Sequence, residues 1–179
     1  MKKIKTSLQD SFLFESKKLK DSRGFFIETW NHKKFGLPQF VQDNHSKSFQ
    51  GVLRGLHYQI ASKSQGKLVR CTQGAVHDVI VDLRENSSTF GKWYSIELNR
   101  PELQLWVPAG MAHGFLSLEE NTIFSYKCSG EYQPKYEHTI KWDDQDINIQ
   151  WGIKNPIVSN KDNNGISLKT YLESNQIHG

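Results

Sequence analysis

The 179-residue chain contains only two cysteines, Cys71 and Cys128. They are too few for a disulfide framework and lack the paired spacing of a structural metal site, so both read as reduced strand residues. Proline is also sparse, at 5, and the 13 glycines follow no repeat, which excludes collagen-like and low-complexity architectures. No apolar run approaches the roughly 18 residues of a membrane span, and the lysine-rich start is not followed by the apolar core of a signal peptide. The expectation is a soluble, cytoplasmic protein with no membrane partner. A large excess of either charge is missing too. The 23 Lys and Arg against 19 Asp and Glu leave +4, a mild excess that suits a phosphate-bearing ligand. Lys17, Lys18 and Lys20 sit beside Asp21, and no basic run is interleaved with aromatics, so nucleic acid is not an expected partner.

What is present is a chain rich in short apolar stretches. Aromatics make up 12% of the residues, which argues against disorder, and the length suits one domain spanning residues 1–179. Alternating or β-branched segments predict strands over 25–30, 66–72, 76–83, 93–98, 104–107, 122–128 and 147–151, separated by turn-forming clusters such as Glu85-Asn86-Ser87-Ser88 and Asn99-Arg100-Pro101-Glu102. Many short strands with little helical periodicity predict an all-β fold, an antiparallel sandwich or barrel. Helix is expected only in short pieces, near 31–35 and 167–175. Residues 166–179 read as a polar C-terminal appendage.

Two segments carry residues suited to chemistry. Val52-Leu53-Arg54-Gly55-Leu56-His57-Tyr58-Gln59 places a potential base three residues from a fixed cation. Strict alternation would put Arg54, Leu56 and Tyr58 on one face and Leu53, Gly55 and His57 on the other. The segment from Pro108 to Phe115 has the P-x-G-x-x-H form of the second cupin motif, in which a Pro-Gly turn feeds a strand whose histidine, here His113, points into a jelly roll. A metal-binding cupin would also need an upstream H-x-H pair and a glutamate, because a divalent ion requires several converging ligands. The upstream position offers His57 alone, and the pleat places His77 on the face opposite Asp78, so no metal is expected. Lys67, Tyr126 and Asp162 each read alone as ordinary surface or core. Together with His57 they supply a base, a cation, an acid and a carboxylate.

The ordered motifs Asp21-Ser22-Arg23-Gly24-Phe25-Phe26, Gln42-Asp43-Asn44-His45-Ser46, Arg54-Gly55-Leu56-His57, Gly66-Lys67-Leu68-Val69-Arg70, Asp78 to Arg84, Ser88-Thr89-Phe90-Gly91 and Pro108 to Phe115 resemble those of the dTDP-4-dehydrorhamnose 3,5-epimerases. The resemblance runs from about Phe12 to Asp162. It implies a cofactor-free homodimer of cupin-like jelly rolls, each a double-stranded antiparallel β-helix with a few short helices. The implied substrate is a nucleotide-linked 4-keto-6-deoxy sugar carried on dTDP, inverted at the carbons flanking the ketone. Within the resemblance His57 is the base, Asp162 its orienting partner, Lys67 the group that meets the developing enolate, and Tyr126 the acid. Histidine near 6.5 and tyrosine near 10 suit those two roles at neutral pH. Arg54 matches a pyrophosphate ligand and Tyr132 the aromatic that stacks on the base. Arg23, Glu28, Gln42, Asp43, Asn44, His113, Glu137 and Lys161 fall on the remaining ligand positions, some in an N-terminal segment that reaches toward the neighbouring subunit. Trp151-Gly152 departs from the usual Trp-Pro. The alternatives are an epimerase acting at one carbon only or on another nucleotide sugar, a metal-dependent cupin oxygenase or isomerase, and a non-catalytic sugar-nucleotide module.

Overall fold

A computed structural model describes residues 1–176. Two six-stranded sheets face each other in a jelly roll. The first runs in the order β1 (Lys2–Lys5), β2 (Phe12–Glu15), β10 (Leu103–Val107), β7 (Lys67–Gln73), β12 (Thr122–Cys128) and β5 (Gln42–Ser48). The second runs β13 (Glu137–Thr139), β6 (Val52–Gln59), β11 (Met111–Ser117), β8 (Val76–Asp82) and β9 (Trp93–Leu98), with β14 (Ile157–Val158) parallel to the start of β6. All other pairings between these strands are antiparallel, and an isolated parallel bridge joins Ile140 to Ile166. A separate hairpin of β3 (Lys18–Asp21) and β4 (Gly24–Ile27) stands off the sheets, and the helices are α1 (His32–Phe35), α2 (Asn160–Asn163) and α3 (Leu168–Gln176). No helix among the described residues is long and apolar enough to cross a membrane.

Three apolar clusters follow from strand alternation. Inward-facing residues of both sheets, among them Val69, Ile80, Leu105, Met111, Phe115 and Phe124, fill the barrel. The outer face of the second sheet, with Leu56, Val79, Val81 and Leu116, is covered by Ile140, Ile147, Trp151 and Leu168 from the C-terminal third. The outer face of the first sheet, with Phe14, Leu68 and Trp106, is covered by Phe35 and Leu37. β8 and β11, sandwiched between the barrel interior and the outer cluster, are buried along almost their whole length.

Two expectations are corrected. Residues 147–151 form no strand. The Asp144 carboxylate accepts the Asp146 and Ile147 N–H groups, and Asn148 takes φ +52, so Ile147 and Trp151 enter the core from a turn rather than from a ladder. The segment read as a polar appendage carries α3, matching the short helix expected near 167–175, but it packs on the domain: Leu168 is buried in the outer cluster and the Tyr171 hydroxyl donates to the Leu83 carbonyl at 2.9 Å. Its residues 177–179 lie outside the described residues. Gly152 adopts φ +75, a value the proline ring forbids, which accounts locally for glycine at that position.

The strict alternation expected along β6 also fails. His113 of β11 lies opposite His57, whereas Phe115 lies opposite Arg54, so three steps of β6 span two of β11. The extra residue is a β-bulge. It sends Leu53, Leu56 and Tyr58 to the outer cluster and turns Arg54 and His57 to the same internal cavity. Gly55, at φ +136, makes the bulge possible, since a Cβ there would sit 2.5 Å from the Gly114 Cα. Gly55→Ala is therefore expected to lose about 2–4 kcal/mol of stability in urea unfolding. Wild-type stability would contradict this reading of the bulge.

Candidate active site

One end of the barrel interior holds a cavity of about 360 Å³, within the usual range for small-molecule sites. His57 enters it from the second sheet. Its Nε2 lies 2.6 Å from Oδ1 of Asp162, while Oδ2 of the same carboxylate accepts the Gly55 N–H at 3.2 Å. Asp162 is carried on the single turn α2, whose N-cap Ser159 accepts the Asp162 N–H at 3.1 Å. Burial pushes this carboxyl up, but its hydrogen bonds with His57, Gly55 and Ser159 outweigh burial and hold it below the ordinary aspartate value. The carboxylate stays ionised and fixes both the orientation and the tautomer of the imidazole.

Lys67 and Tyr126 reach the cavity from the first sheet, on β7 and β12. Burial lowers the Lys67 pKa; Cys128, Glu137 and Asp78 oppose that fall, and Lys161 adds to it. Burial raises the Tyr126 pKa, Cys128 and Glu137 adding to the rise and Arg54 opposing it. The phenol is therefore a proton donor across the whole neutral range.

The mouth is a hydrogen-bonded collar. Gln42 donates to Asn44 at 3.1 Å and accepts the Tyr132 N–H at 2.8 Å. The Tyr132 hydroxyl donates to Glu137 at 2.7 Å, and Lys161 pairs with the same carboxylate. These two bonds hold Glu137 below its ordinary value against the opposing effect of burial. Arg54 is oriented by Ser48 Oγ at 3.1 Å and the Lys47 carbonyl at 3.3 Å. Gln59 ties down the loop above β12 by accepting the Gln133 N–H at 2.7 Å and donating to the Lys63 carbonyl at 2.6 Å.

Ten of the fourteen candidate residues named from sequence line this one cavity: His57, Lys67, Tyr126, Gln42, Asn44, Arg54, His113, Tyr132, Glu137 and Lys161. Asp162 stands directly behind His57. Three lie elsewhere in the protomer. Arg23 pairs with Asp21 at the tip of the β3–β4 hairpin, Glu28 pairs with Lys34, and Asp43 points outward to Lys127 because β5 alternates and sends only Gln42, Asn44 and Ser46 inward. Sequence reasoning missed Ser46, Gln59, Gln65 and Cys128, which also line the cavity, and Asp78, whose Oδ2 lies 2.9 Å from His113 Nε2. Their available signal was alternation: Ser46 follows Gln42 and Asn44 at a period of two. Among the described residues, no group of three or more His, Cys, Asp and Glu side chains is arranged to hold a metal ion.

A jelly roll with a carboxylate-backed imidazole on one sheet and a cation and a phenol on the other defines an acid–base site for moving protons beside a carbonyl. The comparisons with known proteins agree. The family model for dTDP-4-dehydrorhamnose 3,5-epimerase matches residues 5–170. The chain is 50% identical over 171 residues to the dTDP-4-dehydrorhamnose 3,5-epimerase of Shigella flexneri, covering 92% of this chain and 94% of that one. The solved enzyme of that name from Elizabethkingia anophelis NUHP1 superposes with a TM-score of 0.91 at 49% identity, covering 95% and 97% of the two chains. The dTDP-6-deoxy-D-glucose-3,5-epimerase of Legionella pneumophila Philadelphia 1, solved in complex with dTDP-4-keto-L-rhamnose, gives 0.89 at 40% identity over 94% and 93%. The chain belongs to the dTDP-4-dehydrorhamnose 3,5-epimerase family.

Burial shifts the two titratable groups that the first sheet sends into the cavity in opposite directions. An NMR titration should find Lys67 losing its proton below the ordinary lysine value of about 10.4 and Tyr126 losing its proton above about 10. Because burial disfavours the lysine cation and the phenolate alike, a lysine midpoint at or above its ordinary value would contradict the described environment.

Proposed function

We propose that this protein inverts C3 and C5 of dTDP-4-dehydro-6-deoxy-D-glucose to form dTDP-4-dehydro-L-rhamnose, using its own side chains and no cofactor. The observation that carries this reading is the 2.6 Å contact between His57 and Asp162 on the wall opposite Lys67 and Tyr126. A proton beside a ketone is removable only where the enolate charge is stabilised as it develops. His57 takes that proton, and the resulting imidazolium is stabilised by Asp162. Lys67 donates to the ketone oxygen as it becomes an enolate. Tyr126, on the facing sheet, returns a proton to the other side of the flattened carbon. Placing base and acid on opposite sheets makes inversion, rather than simple exchange, the outcome.

The nucleotide occupies the collar. Arg54 presents two guanidinium donors to the pyrophosphate, and Tyr132, half exposed at the rim, stacks on the base. Gln42, Asn44, Glu137 and Lys161 complete the grip, while His113, deeper in the barrel beside His57, faces the sugar. This remote binding energy holds the sugar through two successive abstractions.

Arg23 and Glu28 belong to this reading through a homodimer. The β3–β4 hairpin exposes Leu19, Phe25 and Phe26 to 50%, 57% and 66%, an apolar patch that a second copy would cover, bringing both residues to the neighbouring cavity. Asp43, facing outward on β5, is assigned to the rim of the nucleotide site. The reduced Cys71 and Cys128 suit work in the cytoplasm.

Turnover of the 4-keto substrate, followed by proton NMR of the sugar ring, tests the proposal. Wild-type protein should form the doubly inverted product, and His57→Ala should lower kcat about 10²–10⁴-fold while leaving dTDP affinity within a fewfold. Near-normal turnover by His57→Ala would overturn the assignment of the base. Inversion at one carbon alone would replace the activity by a single-site epimerisation.

A further inference from the structure

Beside His57, on the neighbouring strand, lies a second imidazole backed by a carboxylate. His113 is the cross-strand partner of His57, and its Nε2 lies 2.9 Å from Oδ2 of Asp78. The ring is further held by stacking on Phe124, with centroids 5.8 Å apart and planes at 18°. Asp78 sits on β8 inside the barrel, fully buried, and its second oxygen, Oδ1, has no hydrogen-bond partner among the described residues. Burial pushes its pKa up, and the neighbouring His113, His77 and Lys67 oppose that rise.

A buried carboxylate with one oxygen unpaired lowers stability, and an apolar residue of similar volume would suit this apolar strand better. What the carboxylate provides is control of His113. We infer that Asp78 is a positioning residue: it accepts the Nε2–H of His113 and so leaves Nδ1 as a fixed acceptor for a hydroxyl of the ketosugar, holding the ring over His57. Nothing in the proton-transfer steps assigned to His57, Lys67 and Tyr126 uses Asp78. Its contribution is geometric, and small displacements of a reacting carbon are worth large factors in rate. The inference rests on the epimerase reading of the same cavity.

Asp78→Asn keeps the shape and removes the charge. Turnover of the 4-keto substrate by this variant should fall about 10²-fold in kcat, with dTDP affinity within twofold of wild type and a melting temperature equal or higher. Heteronuclear NMR of the wild-type ring nitrogens should show His113 protonated at Nε2, and in the variant that preference should weaken. Three results would overturn the inference: a variant kcat within twofold of wild type, a loss of rate accompanied by a lower melting temperature and lost dTDP binding, or a wild-type His113 bare at Nε2. Absence of turnover by the wild-type protein would instead overturn the epimerase reading, and the catalytic role of Asp78 with it.

Discussion

The contact between Asp162 and His57 is the constraint on which the rest of the molecule depends. A nearly buried carboxylate is unfavourable unless its oxygens are hydrogen-bonded, and here one meets the imidazole and the other a backbone N–H. The two residues are 105 positions apart in the chain. To bring them together, the chain after Ile140 packs across the outer face of the second sheet, anchored by Ile147, Trp151 and Leu168. It then pairs β14 with β6 and delivers Asp162 on a single capped turn. The bulge at Gly55 does the reciprocal work, swinging His57 into the cavity and presenting its own N–H to the carboxylate. Packing of the C-terminal third and orientation of the His57 imidazole are therefore one problem with one solution.

The two sheets divide the chemistry. The second contributes the imidazoles, His57 and His113, each with an aspartate behind it; the first contributes Lys67 and Tyr126. In the proposed reaction a planar intermediate held between them meets different groups on its two faces, and that difference is what would set the stereochemical outcome. The apolar barrel interior sharpens this division. It lowers the lysine and raises the tyrosine, bringing the cation closer to a group able to share its proton while keeping the phenol protonated.

Much of this was legible in the sequence. The stretches at 93–98 and 122–128 match β9 and β12 as observed, because clean runs bounded by turn clusters leave little ambiguity. The P-x-G-x-x-H segment placed His113 inside the barrel. Illegible from local pattern were the features made by long-range geometry. The β6 bulge depends on Gly114 in a neighbouring strand, so alternation alone assigned Arg54 and His57 to opposite faces. The apparent strand at 147–151 has the right period but no partner edge, and Asp144 turns it. Asp78 shows in the sequence only as a charge inside an apolar strand; its pairing with His113 requires knowing that β8 lies beside β11. The outward turn of Asp43 was within reach of the period-two rule, but the resemblance placed all three consecutive residues together.

The most direct measurement of proton removal beside the ketone is incubation of the protein with dTDP-4-dehydro-6-deoxy-D-glucose in deuterated water, with the sugar carbons then read by NMR. Deuterium at both C3 and C5 is the expected result. Sugar carrying deuterium at neither carbon, whatever the incubation time, would contradict a base at His57 and the epimerase chemistry built on it.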